Sequence, residues 1–239
     1  MTHPPVSVRA LVFDVFGTVV DWRSSVAEEV RALGRRLGHG VNGEAFADAW
    51  RAGYRPAMDR VRSGAAPWTT LDRLHRQILD RVLGEFGLGG LPEAEVEALN
   101  RVWHRLRPWP DAVAGLTRLR RHYTIAPLSN GNVALITAMA KHAGLPWDCV
   151  LGAELVRHYK PDPEVYRGAA EFLDRAPESI LMVAAHLSDL RAAAACGLKT
   201  AFVTRPLEFG PNGRPDLKPD FPVDVFATDF HHLAAQLGA

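Results

Sequence analysis

The chain is short of cysteine, of lysine and of net charge, and each shortage excludes something. Two cysteines, Cys149 and Cys196, occur in 239 residues, too few for a disulfide scaffold or a four-thiolate zinc site. Their apolar neighbours predict buried, reduced thiols, which fits a cytoplasmic protein. A formal net charge of +1 with no run of Lys or Arg argues against a nucleic-acid or membrane-surface partner. Met1 to Pro5 contain no basic segment followed by a long apolar stretch, so neither a signal peptide nor a membrane anchor is expected. A small molecule remains as the expected partner. Lysine is scarce too: Lys141, Lys160, Lys199 and Lys218 are the only four among 28 Lys and Arg.

What is present is a chain with 47% hydrophobic and 23% charged residues, enough to bury one large core and carry a smaller insertion. Short apolar runs at Val8–Val15, Tyr123–Leu128, Ile180–Ala185, Thr200–Thr204 and, more weakly, Val223–Ala227 read as strands buried on both faces. Helical patterns at Asp111–Arg121, Val133–His142, Pro163–Leu173, Asp189–Cys196 and Phe230–Leu237 alternate with them. Such alternation predicts an α/β fold, a doubly wound, mostly parallel Rossmann-like sheet. From Trp22 to Pro108 the alternation stops and no strand is evident. Helices are predicted there at Ser24–Leu37, Glu44–Arg62, Thr69–Phe86 and Pro92–Leu106. The expected organisation is therefore a core of residues 1–21 and 109–239 with a helical cap, 22–108, inserted in it.

In open α/β sheets the ligand lies beyond the carboxyl ends of the strands, and four such places carry chemistry. The first strand ends in Asp14-Val15-Phe16-Gly17-Thr18, where a glycine turn aims amide N–H groups back toward the carboxylate. A second ends in Ser129-Asn130-Gly131. The loop His158-Tyr159-Lys160-Pro161-Asp162-Pro163 stiffens one of the few lysines between prolines. The fourth place is Ala184-Ala185-His186-Leu187-Ser188-Asp189. Each has an ordinary reading on its own, as a helix cap, a turn or a solvated lysine. Together they bring Asp, Ser, Lys and Asp to the strand ends of one sheet.

That set, in that order, resembles the four motifs of the haloacid dehalogenase superfamily over nearly the whole chain. The resemblance implies Asp14 as nucleophile, Thr18 as its supporting hydroxyl, Ser129 from the second motif, Lys160 as the cation and Asp189 as the final acid. Many members with this pattern are magnesium-dependent phosphatases, which carry a second Asp two residues after the nucleophile and further carboxylates in the last motif. Here those positions hold Phe16 and Ala184-Ala185. The general acid and a set of oxygen ligands for magnesium are missing, so no metal and no other cofactor is expected. Halide, unlike an alkoxide, needs no proton to depart.

Phe16, Asn130, Tyr159-Lys160-Pro161-Asp162 with Tyr166, and Ala49-Trp50-Arg51 resemble the L-2-haloacid dehalogenase branch. By that resemblance Arg51 and Asn130 receive halide. Ser129 and the amides of Val15 and Phe16 hold the carboxylate of a 2-halo acid, and Tyr166 lies in the substrate site. Phe16, Trp50 and Tyr54 exclude water. Asp14 forms an ester that water cleaves to a 2-hydroxy acid, with Asp189 as base or positioner. His186 replaces an amide of that branch and is read as a partner of the water or of Asp189, as a base itself, or equally as a structural substitute for that amide. The motifs leave open a hydrolase that opens another electrophilic carbon, such as an azetidine carboxylate ring. A phosphatase or a non-catalytic binding module fits them less well. A homodimer is the expected assembly.

Overall fold

The computed structural model describes residues 8–239, so the reading of Met1 to Pro5 lies outside the described residues. The main sheet has six parallel strands: β1 (Ala10–Phe13), β4 (Thr124–Ser129), β5 (Leu151–Gly152), β6 (Ile180–Ala184), β7 (Lys199–Val203) and β8 (Val225–Ala227). Their spatial order is β5-β4-β1-β6-β7-β8. The chain starts in the middle, builds outward on one side through β4 and β5, then returns to build the other side. Asp14 follows β1, where the direction reverses, and this is the crevice that such sheets use for ligands. Leu11, Val12 and Phe13 are wholly buried because helices cover both faces.

Those helices are α6 (Ala112–Arg120), α7 (Val133–Ala143), α8 (Ala153–Val156), α9 (Pro163–Phe172), α10 (Leu187–Ala195) and α11 (Phe230–Gln236). A two-residue antiparallel ribbon, β2 (Val20–Asp21) with β3 (Arg107–Pro108), ties the two ends of the excursion that follows β1. The excursion holds α1 (Trp22–Leu37), α2 (Gly43–Ala52), α3 (Tyr54–Arg62), α4 (Leu71–Glu85) and α5 (Glu93–Asn100), then a 3-10 turn at Arg101–Arg105. Asp21 caps α1 by accepting the Ser24 N–H at 3.0 Å, and Gly38 ends it in the left-handed conformation (φ 71°) that glycine adopts without a Cβ penalty.

Several expectations need correction. Glu44–Arg62 is two helices, because Pro56 has no N–H for the Ala52 carbonyl and its ring needs that carbonyl's place. The chain turns at Gly53, where a Cβ would come 2.5 Å from Ile78 Cγ2. Pro92–Leu106 is α5 followed by a tighter turn. The strands β2, β3 and β5 and the helix α8 are too short for periodicity to show. Cys149 is exposed and Cys196 half-buried, both free; one sits in the connection before β5, the other at the end of α10, where neighbours cover one side only.

The helical excursion has its own aromatic interior. Trp22, Trp50 and Trp103 are each at most 1% exposed. Trp50 and Trp103 meet edge to face at 5.4 Å, and His75 stacks on Trp103 at 4.2 Å. Aromatic pairs at such spacings add to simple burial. Polar contacts set this unit over the sheet: Asn132 donates to Asp72 at 2.9 Å, Tyr159 donates its hydroxyl to the Thr69 carbonyl at 2.6 Å, and Arg62 holds Asp162 at 2.7 Å.

Candidate active site

Beyond the strand ends lies a cavity of about 380 Å³ with the sheet as floor and α2 and α3 as roof. On its floor, Lys160 Nζ stands between two carboxylates, 2.9 Å from Asp14 Oδ1 and 2.5 Å from Asp189 Oδ2. Three elements bring these groups together. Asp14 immediately follows β1, Asp189 lies in the first turn of α10, and Lys160 comes from the loop before α9. Its backbone N–H donates to Asn130 Oδ1 at 2.7 Å. Thr18 donates its hydroxyl to Asp14 Oδ2 at 2.7 Å and accepts the Ala185 N–H at 2.9 Å. The Ala185 bond fixes the direction in which the hydroxyl points. Tyr166 donates to Asp189 Oδ1 at 2.5 Å, so it supports the acid as well as lining the cavity.

Burial alone would raise the pKa of Asp14, but Lys160 and His186 together hold it well below the usual carboxylate range. It is therefore ionised at any pH of interest. Burial works against the charge of Lys160, yet the two carboxylates push its pKa above the ordinary lysine value. Asp189 moves the other way: burial, with Asp14 nearby, raises its proton affinity despite Lys160. Of the two carboxylates, Asp14 is the one held charged and Asp189 the one with the raised proton affinity.

The roof differs. Arg51 lines the cavity with its guanidinium 4.0 Å from the Tyr54 ring centre, 5.4 Å from Trp22 and 6.0 Å from Phe16. Its Nη1 is buried and has no hydrogen-bond partner among the described residues. A fixed cation among aromatic faces, with one donor unused, is a place for an anion. Phe16 and Tyr54 line the cavity as expected. Trp50 does not: it is fully buried behind the roof and donates its indole N–H to the His75 carbonyl at 2.9 Å.

Other expected residues lie farther from the open space. Val15 is wholly buried and its carbonyl accepts the Val19 and Val20 N–H groups. Ser129 is also fully buried, its oxygen accepting the Gly131 N–H at 3.0 Å, which leaves its own proton free to donate. His186 approaches neither Asp189 nor a position remote from the nucleophile. Its Nδ1 lies 2.9 Å from Asp14 Oδ2 and its Nε2 3.0 Å from both oxygens of Glu208.

Glu208 was not among the expected residues, and neither was Arg205, whose Nε donates to the Thr18 carbonyl at 2.7 Å while Asp111 grips its other nitrogens at 2.9 Å. Arg205 lies just past β7, where the strand-end rule points, whereas Glu208 lies farther along the same irregular stretch. His75 also escaped notice; burial and the nearby Arg51 lower its pKa to about 3, so it is a neutral ring.

This arrangement has relatives. A family model described as haloacid dehalogenase-like hydrolase matches residues 8–197, and the chain belongs to that family. Within it, a curated relative from Burkholderia cepacia, (S)-2-haloacid dehalogenase 4A, is 30% identical across 83% of this chain and 84% of its own. The solved L-2-haloacid dehalogenase PA0810 is 53% identical with a TM-score of 0.94, covering 97% of this chain and 99% of its own. The defluorinating L-2-haloacid dehalogenase Rha0230 is 50% identical with a TM-score of 0.95, covering 97% and 96%. The enzyme from Xanthobacter autotrophicus with chloropropionic acid covalently bound is 25% identical with a TM-score of 0.81, covering 97% and 99%.

Proposed function

We propose that this protein hydrolyses the carbon–halogen bond of short 2-halo carboxylic acids through an aspartyl ester on Asp14. One observation carries the reading. A carboxylate held ionised by Lys160 faces, across a small cavity, the half-buried Arg51, whose buried Nη1 has no partner among the described residues. The first group suits attack at carbon and the second suits an anion that departs. The substrate carboxylate rests toward the Ser129 hydroxyl and the amides of Val15 and Phe16, which leaves carbon 2 open to Asp14. Halide moves toward Arg51 and Asn130 as the centre inverts. Phe16 and Tyr54 keep the path dry. The kinship with enzymes named for 2-haloacids, one of them holding its substrate covalently, supports both the substrate class and the ester.

No metal is required in this reading. The ammonium of Lys160 fills the space between the two carboxylates, and the last motif adds no other oxygen ligand. Among the described residues, the one His/Asp/Glu group close enough to share an ion is His158, Asp162 and Glu164 on the surface. The same reading treats residues 22–108 as a cap over a core formed by 1–21 and 109–239, because the β2–β3 ribbon closes the excursion. It also takes the protein as a cytoplasmic homodimer. Among the described residues no helix is long and apolar enough to cross a membrane, and sedimentation would measure the assembly.

The test is to incubate the protein with chloro-, bromo- and fluoroacetate and both enantiomers of 2-chloropropionate, with chelator present, while measuring halide and the mass of the Asp14 peptide. Halide from the (S) enantiomer with inversion is expected, and Asp14→Asn should abolish it. Fluoroacetate belongs in the panel because a relative of about half-identical sequence is defluorinating. No halide and no adduct from any substrate would overturn the reading, and turnover of azetidine-2-carboxylate alone would replace it.

A further inference from the structure

The two oxygens of Asp14 have different company. Oδ1 receives one donor, Lys160 Nζ at 2.9 Å. Oδ2 receives two, the Thr18 hydroxyl at 2.7 Å and His186 Nδ1 at 2.9 Å. The far nitrogen of His186 meets both oxygens of Glu208 at 3.0 Å, and Glu208 also accepts the Trp22 indole N–H at 3.2 Å. Glu208 is only 2% exposed, and a carboxylate so buried requires a charged partner. Gly17, at φ 88°, makes room for it, since a Cβ there would come 2.0 Å from Glu208 Oε1. An imidazole whose two nitrogens both face carboxylate oxygens carries a proton on each and is a cation.

We propose, resting on the ester mechanism above, that Thr18 and His186 form an oxyanion cradle around Asp14 Oδ2 for the hydrolytic step, with Glu208 as the positioning residue that keeps His186 a donor. Oδ1, the oxygen with a single donor, attacks carbon 2, and the carbon–halogen electron pair leaves with the halide. Asp14 is then a neutral ester whose carbonyl oxygen is Oδ2. Water adds to Cγ, one of its protons passes to Asp189, and the carbonyl π pair moves onto Oδ2 between the Thr18 O–H and the His186 N–H. When that pair returns, the Cγ–Oδ1 bond breaks. The product oxygen takes the proton back from Asp189, and Asp14 loses the second water proton to solvent and is a carboxylate again.

The electrostatics agree with this division of work. Burial disfavours the charge on His186, but Glu208 and Asp14 outweigh it and raise its pKa to about 10. The charged groups facing the ring are these two, with Lys160 and Asp189 across the same cavity. Fixed donors aimed at a developing oxyanion contribute on the order of 10²–10³ in rate.

Rapid-quench measurements with bromoacetate separate the two steps in wild type, Glu208→Gln and His186→Gln, with thermal melts to confirm folding. Both variants should release about one bromide per active site in a burst, then turn over roughly a hundredfold more slowly than wild type. The Asp14 peptide should accumulate a carboxymethyl ester. The hydrolytic rate should fall near pH 10 in wild type and at lower pH in Glu208→Gln. A burst slowed as much as the steady state with no ester, or turnover unchanged in both variants, would overturn the cradle while leaving the dehalogenase reading intact. A wild-type protein that releases no bromide would remove both.

Discussion

On the floor of the cavity every charged group has an oppositely charged partner within about 3 Å: Asp14 with Lys160 and His186, Lys160 with Asp189, His186 with Glu208. On the roof, Arg51 lies among rings with a buried nitrogen that has no partner among the described residues. The difference reflects what each surface must do. In the proposed mechanism the floor makes and breaks covalent bonds, so its charges must hold their places through a cycle, and mutual pairing holds them. In the same mechanism the roof receives a charge that does not exist until the carbon–halogen bond breaks, and a guanidinium already satisfied by a carboxylate would have nothing left to offer it.

The largest test of this contrast is Lys160→Met. It leaves Asp14 and Asp189 as neighbouring carboxylates with no cation between them, one of which must then take up a proton. Halide release should fall on the order of 10³-fold, about 4 kcal/mol of transition-state stabilisation. A loss below tenfold would show that the floor does not depend on pairing. Next is Arg51→Ala, expected to reduce halide release roughly a hundredfold, with Arg51→Lys giving little recovery because an ammonium cannot replace the flat guanidinium stacked on Tyr54. Full activity in Arg51→Lys would mean that the roof supplies charge alone.

A smaller effect belongs to His186 and concerns stability. Its pKa is raised in the folded state to about 10 from an ordinary 6.5. The bridge therefore contributes fully below pH 6.5 and its contribution is lost as pH rises through about 10. Calorimetry should show a melting temperature that falls further in wild type than in His186→Gln between pH 7 and pH 10.5. Equal slopes would separate the ring from the floor's charge network. Smallest of all is Arg62→Ala, which removes the link from roof to floor through Asp162, whose partner Arg62 is 28% exposed. Such surface pairs are worth about 0–1 kcal/mol, so KM should shift no more than about threefold while the bond-breaking rate stays constant. A large fall in that rate would mean the roof is held in place by this one pair.

How far the floor could be read beforehand differs from residue to residue. Asp14, Thr18, Lys160 and Asp189 follow apolar runs or lie in a stiffened loop, and the strand-end rule reaches them without any tertiary detail. Arg51 was reachable only through resemblance, since its helix gives it no local mark. Its lack of a partner depends on which side chains enclose it. Trp50, its neighbour, lies behind the cavity wall rather than in it, because adjacent helical residues point about 100° apart and the phase of the helix against the floor is set by packing. Glu208 lies in an irregular stretch with no periodicity to mark it, so its role became visible only with the fold.

Composition and pattern by themselves determined the alternating strands and helices, the helical interruption after the first strand, the chemistry gathered at the strand ends and the absence of a second acid at Phe16. These are local properties, written in runs of a few residues whose burial or turning is dictated by their own side chains. Tertiary structure alone decided that His186 joins Asp14 to Glu208 and that the Arg51 guanidinium stays unpaired. A hydrogen bond between residues 172 positions apart, such as that of His186 to Asp14, depends on where crossovers and packed helices carry each side chain. No local propensity encodes that distance.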